Sequence, residues 1–159
     1  MIKIFKIIVR SFFIGIFILF FHCSFSQVFQ SQALQNINEE NGLSDNSVQC
    51  IFQDNNHFTW IGTSSGLNLV NGSDIKIFKN NPALKNSISN NFIKAISQKN
   101  DSTLLIGTLA GLELFNTHTN GFTKLLYDKK DIFETVNFIC AAKNNTSFFG
   151  TVSGVYFLN

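Results

Sequence analysis

The 159-residue sequence predicts an all-β protein assembled from repeated four-stranded antiparallel sheets. Three observations carry that reading. A seven-residue motif recurs three times at near-constant spacing. Each recurrence is embedded in short apolar strands separated by turn residues. After residue 26 no stretch sustains helical periodicity.

The first 26 residues stand apart from the rest. Lys3, Lys6 and Arg10 make a basic start, and an apolar run from Ser11 to Phe21 follows, interrupted by Gly15. Ser24 and Ser26 then fit the small-x-small pattern of a signal-peptidase site, with cleavage after Ser26. Two readings compete with this one. Cys23 is a lipoprotein acceptor only if bulky His22 is tolerated before it. An uncleaved anchor needs about 20 apolar residues, and the run is shorter. The segment carries three of the 12 Lys and Arg and none of the 10 acids, so the remainder holds nine basic against ten acidic residues. The formal +2 charge therefore belongs to the targeting segment, and no basic patch for nucleic acid remains.

The motif reads apolar-Gly-Thr-x-small-Gly-apolar, in Ile61–Leu67, Ile106–Leu112 and Phe149–Val155. Gly62 and Gly107 are 45 residues apart, and Gly107 and Gly150 are 43 apart. The match extends upstream: Val48 aligns with Ile93 and Val136, Ile51 with Ile96 and Ile139, and Trp60 with Leu105 and Phe148. Strands are predicted at Ser47–Gln53, Phe58–Thr63, Gly66–Val70 and Asp74–Lys79 in the first copy. The second copy has Phe92–Gln98, Thr103–Thr108, Gly111–Phe115 and Gly121–Leu126; the third has Thr135–Ala141, Thr146–Thr151 and Gly154–Leu158. Asn71-Gly72 signals a type I′ hairpin.

Four antiparallel strands at this period, apolar on both faces, are the signature of a β-propeller blade, because only face-to-face stacking buries both sides. The organisation expected is an incomplete β-propeller with two four-stranded blades and a partial third, preceded by a signal-peptide helix. Its segments are 1–26 (signal peptide), 27–46 (lead-in, with Leu34–Asn38 as a ring-closing strand), 47–91, 92–134 and 135–159. An open ring exposes an apolar face and an unpaired edge, so the chain reads as a piece of a longer protein, a truncated reading frame or part of an assembly.

The repeat-motif residues expected to matter structurally are Trp60, Gly62, Thr63, Gly66, Gly107, Thr108, Gly111, Gly150, Thr151 and Gly154. Gly62, Gly107 and Gly150 lie inside strand patterns, where glycine marks close backbone approach or a bulge. That places the Ile-Gly-Thr segments on the crowded axis, although the long links at Asn80–Asn91 and Tyr127–Glu134 argue instead that the preceding strand is innermost. Trp60 reads as core, Asp54 as a turn cap, and Asn46 and Asn91 as binders of local backbone. Cys50 and Cys140, in different repeats and without metal-ligand spacing, read as small buried apolar side chains.

Asn41-Gly42-Leu43-Ser44-Asp45-Asn46-Ser47-Val48, Ile51, Asp54, Trp60-Ile61-Gly62-Thr63 and Gly66-Leu67-Asn68 resemble the two-component regulator propeller repeat. Ser87–Ile93 through Gly111-Leu112 is similar, and the third copy lacks the leading Gly-Leu-Ser. The resemblance implies a periplasmic N-terminal propeller of a hybrid sensor histidine kinase. It implies partners in further blades and downstream domains, a carbohydrate ligand, and membrane contact only through a downstream helix or an uncleaved signal segment. No cofactor, metal or catalytic residue is expected in this chain, and the ligand-binding residues stay unassigned. His22, His57 and His118 do not sit where a phosphoacceptor would. A freestanding secreted module for carbohydrate or protein is the alternative. A propeller glycosidase is more distant, because Asn55-x-His57-x-Thr59-Trp60 matches the Asp-box poorly. If the chain is exported as read, N-terminal sequencing of the mature protein begins at Gln27; recovery of intact residues 1–26 in the membrane fraction would favour the anchor.

Overall fold

The computed structural model describes residues 36–127, 130–131, 134–142 and 146–158. The signal segment and its cleavage site lie outside them. Of the ring-closing strand read at Leu34–Asn38, only residues 36–38 are described, and they form no strand.

Three antiparallel sheets follow a short 3-10 turn at Glu39–Asn41. The first runs in chain order through β1 (Val48–Gln53), β2 (Thr59–Thr63), β3 (Gly66–Asn71) and β4 (Asp74–Phe78). The second does the same with β5 (Ile93–Asn100), β6 (Thr103–Thr108), β7 (Gly111–Asn116) and β8 (Gly121–Lys124). Beyond it, β9 (Leu126–Tyr127) pairs with β10 (Lys130–Asp131), where the sequence suggested a strand ending at Leu126 and loop from Tyr127 on. The third sheet is β11 (Phe138–Ala141), β12 (Ser147–Gly150) and β13 (Val155–Leu158).

The three sheets are successive blades of a β-propeller. Strand β1 packs on β5 and β5 on β11, so the first strand of each repeat converges on the axis. The Gly-Thr segments lie on β2, β6 and β12, one strand out from it. This corrects the innermost placement drawn from their glycines. The glycines do mark a close approach, but the visitor is a side chain at the start of the next blade. A Cβ on Gly62 would come within 2.7 Å of Ile93 Cγ2, and one on Gly107 within 2.8 Å of Val136 Cγ1. In both four-stranded sheets the first strand also shifts register beside this contact, between Val48 and Cys50 and between Ile93 and Ala95.

Burial follows from this stacking. In β6, Leu104 and Ile106 face the first sheet and Leu105 faces the third, so the middle of the strand is continuously apolar. Trp60, Leu67 and Phe78 meet Ile93, Ile96, Phe115 and Phe122 between the first two sheets. The Trp60 and Phe115 rings sit edge to face at 5.3 Å, an arrangement that aromatic quadrupoles favour. Asp54 caps its turn by accepting from the N–H groups of Asn56 and Phe58, and its other oxygen accepts from Trp60 Nε1 at 2.9 Å.

Two smaller expectations are corrected. Asn71 belongs to β3 and pairs with Asp74, so the hairpin loop is Gly72-Ser73; only Gly72 has positive φ, the type II′ rather than the I′ pattern. Cys50 and Cys140 are free, Cys50 half-buried but Cys140 exposed, because no further sheet covers that side of β11 among the described residues.

Gly107→Ala should cost about 1–3 kcal/mol, since the added methyl meets both Val136 Cγ1 and the Val136 carbonyl. Gly121→Ala, whose new contacts begin at 3.4 Å, should stay within about 0.5 kcal/mol. Urea unfolding followed by circular dichroism separates the two; equal losses would contradict the packing role.

Candidate functional site

The repeated polar chemistry gathers at the end of the blades where first strands begin and the β2–β3-type turns close. In each turn one threonine hydroxyl serves twice. Thr63 Oγ1 donates to the Gly66 carbonyl at 3.1 Å and accepts from the Ser65 N–H at 3.1 Å. Thr108 does the same with Gly111 and Ala110, and Thr151 with Gly154 and Ser153. Gly66, Gly111 and Gly154 take φ of +153°, +121° and +141°, which a side chain would strain. The ten residues singled out from the repeat thus fall into equivalent places: a shared turn, a shared Cβ-free contact, and the Trp60 packing site.

The segments leading into each blade are latched onto the same end. Asn68 is fully buried; its Oδ1 accepts from the Ser44 N–H at 2.9 Å and its Nδ2 donates to Ser44 Oγ at 2.8 Å and to the Ile61 carbonyl at 3.0 Å. Ser44 Oγ also lies 2.7 Å from Thr63 Oγ1, which ties the latch to the turn. In the second blade Glu113 stands at the Asn68 position and accepts from Ser89 N–H at 3.0 Å and Ser89 Oγ at 2.6 Å. Two acids staple the lead-ins to the turns: Ser65 Oγ donates to Asp45 at 2.8 Å and Ser153 Oγ to Glu134 at 2.7 Å. The Ser47 N–H and the Ser65 hydroxyl lower the Asp45 carboxyl from its ordinary value, and the Ser153 hydroxyl lowers that of Glu134.

Sequence reasoning missed these latches. The acid–serine pairs are 20 and 19 residues apart, a recurrence that two copies of the repeat would have disclosed. Asn46 and Asn91 do bond backbone, accepting from the N–H groups of Glu39 and Asn80.

Two clefts open elsewhere. One, of about 280 Å³, lies at the opposite end of the blades, between the Asp54 turn and the Thr117–Asn120 hairpin, with Phe58, Trp60 and Leu69 as apolar lining and Asn56, His118 and Asn120 as polar groups. The other, of about 460 Å³, is bounded by Lys85, Ser87, Glu113, Phe122 and Lys124. The first sets Phe58 and Trp60 beside Asn56, His118 and Asn120, and the second sets Phe122 beside Lys85, Lys124 and Glu113. Among the described residues, no three His, Cys, Asp or Glu side chains converge to hold a metal ion.

Glu113 is 2 % exposed, and burial raises its carboxyl above the ordinary value against the opposing Ser89 hydrogen bonds. A raised carboxyl holds its proton more tightly in the folded chain, so ionisation destabilises the fold as pH climbs through and above the unfolded value. Glu113→Gln, which keeps an acceptor for Ser89, should raise the urea midpoint at pH 7, and the gain should shrink as pH falls towards 4.5. An unchanged gap across that range would contradict the burial effect.

Comparison with known proteins agrees with this architecture. Residues 42–65 match the family described as two component regulator propeller. No curated protein matches the chain. The extracellular domain of BT3049 from B. thetaiotaomicron, described as a hybrid two component system, is similar at 25 % identity and TM-score 0.69, over 79 % of this chain and 18 % of that one. Two structures of the BT4673 extracellular domain from the same organism, described in one case as a one component and in the other as a hybrid two component system, give TM-scores of 0.64 and 0.66. Their identities are 22 % and 20 %, over 82 % of this chain and 17 % of each of theirs. The chain thus spans under a fifth of these extracellular domains. No helix among the described residues is long and apolar enough to cross a membrane.

Proposed function

We propose that this chain is a periplasmic, ligand-sensing β-propeller segment of a hybrid two-component sensor histidine kinase, without the kinase itself. The observation that carries the reading is the joint match of residues 42–65 to the two component regulator propeller family and of the fold to an extracellular domain of a hybrid two component system. Three further features support it. The basic, apolar, small-residue start reads as an export signal. The repeat hydroxyls of Thr63, Thr108 and Ser44 are engaged in turns and a latch, which fits a scaffold role. In the smaller cleft the accessible Phe58 ring stands beside Asn56, His118 and Asn120, which supports a carbohydrate fragment as the ligand class. Its other partners are the remaining blades and the domains downstream, and its contact with the membrane is made by a downstream helix or an uncleaved signal segment.

Alkaline phosphatase fused after Leu158 should be active in cells, and a fluorescent protein that folds only in the cytoplasm should stay dark at the same position. The opposite pair of outcomes overturns export. The parent gene should continue into further blades, a membrane helix and kinase motifs; a stop codon after the last blade would support the freestanding module instead.

A further inference from the structure

The outward face of the third sheet repeats the face that the two preceding sheets bury. Register aligns Phe138 with Gly150 and Val155, and Cys140 with Phe148 and Phe157. The same places in the first sheet hold Cys50, Gly62 and Leu67, then Phe52, Trp60 and Leu69, and the second sheet covers them. In the third sheet Phe138, Val155 and Phe157 are instead 52 %, 65 % and 68 % exposed.

The two internal interfaces show what covers such a face. In each, a β-branched aliphatic side chain from the start of the next sheet occupies the space a Cβ would take: Ile93 over Gly62 and Val136 over Gly107. Gly150 offers the same space, and there Phe138 of its own sheet folds into it. Of the corresponding residues in the earlier sheets, Ala95 leaves the space over Gly107 to Val136, and Cys50, with its Sγ 2.6 Å from the same point over Gly62, is small enough to share it with Ile93. The chain spans 18 % of the similar BT3049 domain, so a domain of that size has length for many further sheets.

We infer that the exposed face of the third sheet is the docking surface for a further blade of this repeat, whose first strand sets a β-branched aliphatic side chain on Gly150 as Phe138 swings aside. The occupant belongs to the same polypeptide. The inference concerns packing alone and stands whether or not the propeller senses a ligand.

Cys140 lies on this face and is exposed, so its reaction with an uncharged maleimide reports whether the face is covered. Cys50, half-buried with its thiol pushed up to about 11 by burial, serves as the slow internal control. A second copy of residues 117–158 appended after Asn159 supplies an outer strand and places the copied Val136 29 residues beyond Gly150, the Gly107-to-Val136 separation. In that copy Cys140→Ser leaves the original thiol as the reporter. The extended chain should react at least ~10-fold more slowly at Cys140 than the 159-residue chain, because a covered thiol reacts only when the interface opens. Val136→Asp in the appended copy should restore the fast rate. Equal rates in the two chains, or protection that survives Val136→Asp, overturns the inference. So does protection of the 159-residue chain that grows with its concentration, which would make the occupant a second copy. Should the extended chain fail to fold, the full-length gene product decides: its Cys140 should resist the reagent, and fast labelling there overturns the inference.

Discussion

Everything in this architecture depends on a missing side chain at one position per blade. Sheets stack closely only when facing residues interdigitate, and here Ile93 and Val136 enter spaces that any Cβ on Gly62 or Gly107 would fill. That contact brings the first strand of one blade against the second strand of its predecessor. The first strands then converge, the outer strands splay, and both apolar faces of the second sheet are buried. The aromatic cluster around Trp60 fills the wider outer part of the same interface.

The polar devices serve this packing rather than compete with it. Each Gly-Thr turn satisfies its own backbone through one hydroxyl, so the chain reverses beside an apolar interface without an unpaired donor. The lead-in latches then fix where each new blade begins. Their chemistry differs from copy to copy, with an amide at Asn68 and a carboxylate at Glu113, yet both hold a serine from the preceding segment. The position specifies an acceptor and tolerates variation in its charge.

The strands were legible in the sequence because the Gly-Thr-x-small-Gly turn fixes where two of them meet and apolar positions extend the pattern on both sides. Strand order was not, because a glycine inside a strand announces a close approach without naming the visitor. Ile93 lies 31 residues beyond Gly62, across an irregular link whose path no local signal gives. Glu113 and Ser89 were opaque for the same reason: their pairing spans 24 residues and joins a link to a strand. Cys140 was misjudged because its alternation is that of a buried position, and exposure depends on a neighbouring sheet that no residue of β11 encodes.

The bond between Asp54 and the Trp60 indole has a spectroscopic consequence. Trp60 is the single tryptophan of the chain, held rigidly and nearly dry between the first and second sheets. Its emission is therefore a native optical gauge of one seam in the molecule. Light from that ring reads the first junction of the propeller in isolation, whatever happens at the others.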